Sequence, residues 1–134
     1  MAEPRLLSVV LPAYNEGEAI EHALAALEPV LASLPCRSEV VVVNDGSRDD
    51  TLARARAYRS AAFELVVVDL SRNFGKEAAL SAGLEQARGD AVVPIDADLQ
   101  DPPALIPEMV RRWLDGAEVV LAHRADRRAD GFLK

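Results

Sequence analysis

An open α/β sheet with helices on both faces is the fold this sequence predicts, on three observations. Five short apolar runs recur along the 134 residues. They are apolar throughout, not alternating, as strands buried on both faces are. Stretches long enough for helical crossovers separate them, and strands joined that way pair in parallel with right-handed connections.

The elements follow in order. Residues 6–12 (LLSVVLP) are the first strand, rich in branched side chains. Residues 16–34 form a helix in which Ile20, Ala23, Leu24, Leu27 and Leu31 share one face. Residues 39–44 (EVVVVN) are the second strand, and residues 49–61 a helix whose outer face carries Arg54, Arg56 and Arg59. Residues 63–70 (FELVVVDL) are the third strand; residues 75–88 are a helix closed by Gly89 as its C′ residue. Residues 90–95 (DAVVPI) form the fourth strand, made less regular by Pro94. Asp101, Pro102 and Pro103 read as the start of a helix running to about Asp115 and ended by Gly116. Residues 118–122 (EVVLA) are the fifth strand. One domain is expected over residues 1–123, followed by a basic tail, 124–134, with Arg124, Arg127, Arg128 and Lys134.

Composition removes several classes of function. Half the chain is apolar and 28% is charged, an ordinary globular balance and not a disordered one. A single cysteine, Cys36, excludes an intrachain disulfide, and no Cys/His spacing suggests zinc. No apolar run approaches the roughly 18 residues of a membrane helix, and no basic and apolar leader opens the chain. A cytoplasmic location follows as the expectation. The net charge of −7 makes nucleic acid an unsuitable partner. An anionic ligand would need a cation to mediate its binding.

In open parallel sheets ligands bind beyond the carboxyl ends of the strands. There the sequence places Pro12, Tyr14, Asn15 and Glu16, then Asn44, Asp45, Gly46 and Ser47, then Asn73, Phe74, Gly75 and Lys76, then Asp96, Ala97, Asp98, Leu99 and Gln100, and finally His123 and Arg124. In an extended chain Asp96 and Asp98 point to one side, roughly 6–7 Å apart. That suits two carboxylates sharing a hard cation such as Mg²⁺, whose shell waters and phosphates complete; otherwise Asp98 caps a turn and Asp96 is solvated. Asp45 reads either as a carboxylate for a base or ribose or as part of an Asp-Gly turn. Lys76 reads as a phosphate or acceptor contact, or as a solvated first-turn lysine. Arg124 reads as a bidentate fork for phosphate, or as a surface arginine. No Gly-x-Gly-x-x-Gly follows the first strand and no Gly-Lys-Ser/Thr occurs, which disfavours dinucleotide and P-loop sites.

Together these segments resemble family 2 glycosyltransferases. Val9 to Glu16 is similar to the opening motif of that family, and Val41 to Ser47 with Asp50 and Thr51 to its second, with Asn44 where an acid is commoner. Asn73-Phe74-Gly75-Lys76 and the run from Asp96 to Pro103 narrow the resemblance to the polyprenyl-phosphate branch, which includes dolichol-phosphate mannose synthases. The resemblance implies a GT-A, Rossmann-like fold and metal-dependent, inverting sugar transfer from a UDP- or GDP-linked sugar to a polyprenyl phosphate. It implies that Pro12, Tyr14, Glu16, Val43 and Asp45 hold the nucleoside, with Ala97 and Gln100 also among the residues that bind the donor. Asp96, Asp98 and Gln100 would surround the diphosphate and its Mg²⁺ or Mn²⁺, and Arg124 would contact phosphate. Members of the family continue with acceptor-binding and often membrane segments, so this sequence corresponds to their donor-binding half, and membrane association would come through the rest. Two alternatives stand beside the enzyme: a fragment that binds nucleotide and metal without turnover, and a receiver-like Mg²⁺-binding α/β domain. The latter expects its acid pair after the first strand, where Tyr14-Asn15-Glu16 stands.

Overall fold

A computed structural model describes residues 5–100 and 102–116. The order is β1 (Leu6–Ala13), α1 (Gly17–Ala32), β2 (Arg37–Asn44), α2 (Thr51–Ala57), β3 (Glu64–Asp69), α3 (Lys76–Gln86), β4 (Ala91–Pro94), a 3₁₀ turn (Pro103–Leu105) and α4 (Ile106–Leu114). All strand pairs are parallel and the sheet order is β3-β2-β1-β4. This is the order of a nucleotide-binding half-sheet, with the switch point between β1 and β4. A receiver-like domain would place β1 between β2 and β3, so the topology rules out that alternative.

Strands β1 and β2 bury both faces, as expected, whereas β3 and β4 are only partly buried. Leu7, Val9, Leu11, Val40 and Val42 pack with Ile20, Leu24 and Leu27 of α1, Ala55 of α2 and Ile106 and Val110 of α4. Val10, Val41 and Val43 face the other way, onto Ala79 of α3. Helix α3 approaches closely because its contact residues are small. A Cβ on Gly83 would run into the Val10 and Val43 side chains.

The end of the sheet where the strands begin is held by a buried acid. Glu39 is fully buried. It accepts hydrogen bonds from Ser8 Oγ at 2.6 Å, the Arg88 N–H at 2.7 Å, and Arg88 Nε and Nη2 at 3.1 and 3.0 Å. Burial pushes the carboxyl pKa up, but the bonds from Ser8 and Arg88 outweigh it and leave the pKa below its ordinary value. Ser8 Oγ in turn accepts the Gly89 N–H at 2.8 Å.

Several boundaries differ from expectation. Helix α2 stops at Ala57 because Tyr58 turns extended: its hydroxyl bonds to Glu28 and its ring stacks on Phe63, centroids 6.5 Å apart. Helix α3 ends before Ala87, so Gly89 is not its C′ residue. What requires glycine at 89 is proximity: a Cβ there would collide with Ser8 of β1. Gly116, at φ +111°, does end α4. Strand β4 is four residues long, with Pro94 last, and the bond to the Val10 carbonyl comes from Ile95 N–H at 2.9 Å. The fifth strand at 118–122, His123, Arg124 and the 124–134 tail lie outside the described residues. No helix among the described residues is long and apolar enough to cross a membrane.

Candidate functional site

At the carboxyl ends of β1, β2 and β4 the chain encloses an open cleft of about 420 Å³. Pro12, Ala13, Tyr14 and Glu16 line it from β1 and its following loop, and Asp45 from the end of β2. Asn73, Gly75 and Lys76 enter from the β3–α3 connection, and Asp96, Ala97, Asp98 and Gln100 from beyond β4. Every site residue expected within the described region lies here except Val43. That side chain is sealed under α3 with Val10 and Val41, because its position in β2 faces away from the cleft.

Hydrogen bonds between loops fix the cleft's walls. Asn15 adopts φ +51°; its N–H donates to Ser47 Oγ at 2.9 Å, and its Oδ1 accepts the Arg48 N–H at 2.7 Å. The Glu16 N–H donates to Thr51 Oγ1 at 2.9 Å, and its carboxylate accepts the Tyr14 N–H at 3.0 Å. The loops after β1 and β2 are thereby stitched together. Asn44, at a position where an acid is commoner in the family the sequence resembles, donates from Nδ2 to Asp69 Oδ1 at 3.0 Å. A carboxylate at 44 would face a second carboxylate instead, so the amide suits its neighbour.

Asp96 and Asp98 both line the cleft, but not as alternate residues of a strand. Strand β4 has ended, and residues 96–99 form a turn in which the Leu99 N–H donates to the Asp96 carbonyl at 3.0 Å, with Leu99 at φ +57°. Ala97, in the middle of the turn, is buried in the core and pins it. The Asp98 carboxylate is exposed and accepts the Gln100 N–H at 3.3 Å. Asp96 already meets a cation: Lys76 Nζ lies 2.6 Å from its Oδ1.

The donor set fits a hard divalent ion. It consists of two carboxylates and the Gln100 amide oxygen around an open cleft, with room for water and phosphate oxygens. No group of three or more His, Cys, Asp or Glu side chains converges among the described residues. Such an ion would therefore draw the rest of its shell from solvent and ligand.

Asp45 lines the cleft but is nearly enclosed. It is only 2% exposed and its carboxylate is taken up by the loop before α3. Oδ1 accepts the Phe74 N–H at 2.8 Å, and Oδ2 accepts the Gly75 N–H at 3.1 Å and Asn73 Nδ2 at 3.2 Å. Asn73 and Gly75 were not singled out as site residues. The signal was present in the Asn-x-Gly-Lys run after the third strand, of which only the lysine carries obvious chemistry.

Residues 8–134 match the model of glycosyl transferase family 2. An uncharacterized glycosyltransferase of Synechocystis sp. is 48% identical over 96% of this chain and 40% of its own length. A bactoprenol glucosyl transferase of Shigella phage SfV is 45% identical over 96% of this chain and 42% of its own. Among solved structures, a mannosyltransferase from Pyrobaculum calidifontis in complex with GDP-Man and Mn²⁺ superposes with a TM-score of 0.73 at 29% identity, covering 96% of this chain and 38% of that one. The chain spans about two-fifths of the length of these relatives. Its fold is the GT-A fold, and the chain belongs to glycosyl transferase family 2.

Proposed function

We propose that this chain is the donor-binding part of an inverting glycosyltransferase that moves a sugar from a nucleoside diphosphate sugar to a polyprenyl phosphate. One observation carries the reading: Asp96, Asp98 and Lys76, from two separate connections, meet in a cleft at the sheet's switch point. The bactoprenol glucosyl transferase relative supports the lipid phosphate acceptor, and the mannosyltransferase neighbour supports a nucleotide sugar with Mn²⁺.

In this reading Asp96, Asp98 and Gln100 hold Mg²⁺ or Mn²⁺ against the diphosphate. Pro12, Tyr14, Glu16 and Ala97 form the wall on the nucleoside side. A divalent ion held there supplies Lewis-acid stabilisation to the leaving diphosphate. Lys76 adds a mobile positive charge beside the same oxygens, and Arg124 is assigned a phosphate contact. The acceptor phosphate, with a second pKa of about 6, is largely ionised at neutral pH and needs orientation more than a base. Because that acceptor is a membrane lipid, the reaction is assigned to the cytoplasmic membrane face.

Calorimetry of UDP, GDP and their sugars with and without Mn²⁺ tests this reading. Binding should require the metal and fall on the order of tenfold to a hundredfold in Asp98→Ala, as loss of a charged ligand contact does. Metal-independent binding unaffected by Asp98→Ala would overturn it. A second reading is that this chain by itself binds donor and metal without turnover. Donor hydrolysis, and transfer to an added polyprenyl phosphate, distinguish the two.

A further inference from the structure

We propose that Asp45 is a positioning residue whose buried carboxylate clamps the 73–75 loop and so delivers Lys76 to Asp96. The resemblance assigns Asp45 to the nucleoside. The geometry gives it a prior task. A carboxylate offers about four acceptor sites. Three are filled by Phe74 N–H, Gly75 N–H and Asn73 Nδ2, and the same Asn73 amide also reaches the Asp45 carbonyl at 3.1 Å. The clamp is closed from both sides. Gly46, at φ +69°, lies so near the Arg72–Asn73 backbone that no Cβ would fit. Gly75, at φ +105°, turns the chain into α3, and the next residue is Lys76, with Nζ 2.6 Å from Asp96 Oδ1. Asp45 thus connects the end of β2 to the acid after β4 through a loop and one side chain. Lys76 is 68% exposed and, among the described residues, its side chain pairs with Asp96 alone, so its location depends on where the loop is pinned.

The consequence for donor binding rests on the proposed function; the placement of Lys76 does not. The experiment therefore has two arms on the 134-residue chain. In the first, side-chain NMR of Lys76 is recorded without ligand for wild type, Asp96→Asn, Asp45→Asn and Asn73→Ala. Asn73→Ala leaves Asp45 in place and serves should Asp45→Asn fold poorly. The Lys76 ε-methylene resonances should move in the clamp variants in the direction Asp96→Asn moves them. Resonances unmoved in Asn73→Ala and in folded Asp45→Asn would overturn the proposal. In the second, Mn²⁺-dependent binding of UDP and GDP is measured for Asp45→Asn, Lys76→Ala and the double variant. Asp45→Asn should weaken binding about tenfold in the wild-type background and hardly at all once Lys76 is alanine, the non-additivity expected of residues acting in series. Equal losses in both backgrounds would mean Asp45 touches the nucleotide itself and would overturn the positioning role. Absence of binding by the wild-type chain would sink the proposed function, and the first arm would still decide the clamp.

Discussion

Replacing Glu39 with glutamine should destabilise the chain while sparing its cleft. The carboxylate is fully buried and receives four hydrogen bonds from Ser8 and Arg88. Glutamine keeps the shape but turns one acceptor oxygen into an NH₂. If the NH₂ faces Ser8 and the Arg88 N–H, that backbone donor is orphaned. If it faces the guanidinium, donor meets donor. Either way one donor loses its acceptor, which costs about 1–3 kcal/mol, and the remaining bonds lose their charge assistance. The expected loss is about 2–4 kcal/mol, a large share of a stability of about 5–15 kcal/mol. Urea unfolding at neutral pH reads it directly. The sign with pH follows from the lowered carboxyl pKa. The stabilisation is fully present above the unfolded carboxyl pKa of about 4.3 and is lost as pH falls through the lower folded value. Wild type and variant should therefore converge in acid. Because Glu39 lies six residues, roughly 20 Å, along the strand from Asp45, Mn²⁺–nucleotide affinity of the folded variant should stay within about twofold of wild type. A neutral-pH difference under about 0.5 kcal/mol, or one that persists unchanged in acid, would refute the reasoning.

Three further outcomes are expected. Gly83→Ala, despite alanine's helix preference of about 1 kcal/mol, should lower the thermal midpoint, because overpacking against Val10 and Val43 costs about 1–3 kcal/mol; a raised midpoint would show that α3 can retreat from the sheet freely. Gly46→Ala should cost more than Gly83→Ala in urea unfolding, since it meets rigid backbone and a left-handed φ together. In Tyr14→Phe, which leaves Tyr58 as the lone tyrosine, ultraviolet titration should find the phenol ionising at about pH 12, since burial and the bond to Glu28 both raise it; ionisation near 10 would show that the Tyr58–Glu28 contact is absent in solution.

Hydrophobic runs made the strands legible, because Val9 to Leu11 and Val40 to Val43 can be buried on both faces only in a covered parallel sheet. Their carboxyl ends then pointed to the cleft. What remained hidden was set by tertiary contacts with no local mark. Tyr58 leaves its helix to reach Glu28 and Phe63, partners 30 and 5 residues away. Gly89 looked like a helix cap, yet the constraint comes from Ser8, 81 residues earlier. Strand period would set Asp96 and Asp98 on one side; instead both reach the cleft from a turn with a left-handed Leu99. Asp45 carries an obvious charge, but no local pattern marks that the 73–75 loop folds over it.

The two acid–cation pairs at opposite ends of the sheet show why only one end is suited to chemistry. At one end Glu39 is desolvated, its oxygens saturated by Ser8 and Arg88, and Arg88 reaches on to Glu64. Removing a member there strands a buried donor or charge, so that end contributes to stability and resists exchange. At the other end Lys76 and Asp96 are 68% and 30% exposed and share one ion pair. A pair with that much water around it contributes about 0–1 kcal/mol. On the proposed function, a divalent ion, with twice the charge of an ammonium and able to use Asp98 as well, would displace the lysine from Asp96 at little cost. Lys76, still tethered two residues from the clamped Phe74, would then remain beside the cleft as a cation for a phosphate. The same kind of contact thus fixes the fold where it is buried and saturated, and stays exchangeable where it is exposed and unsaturated.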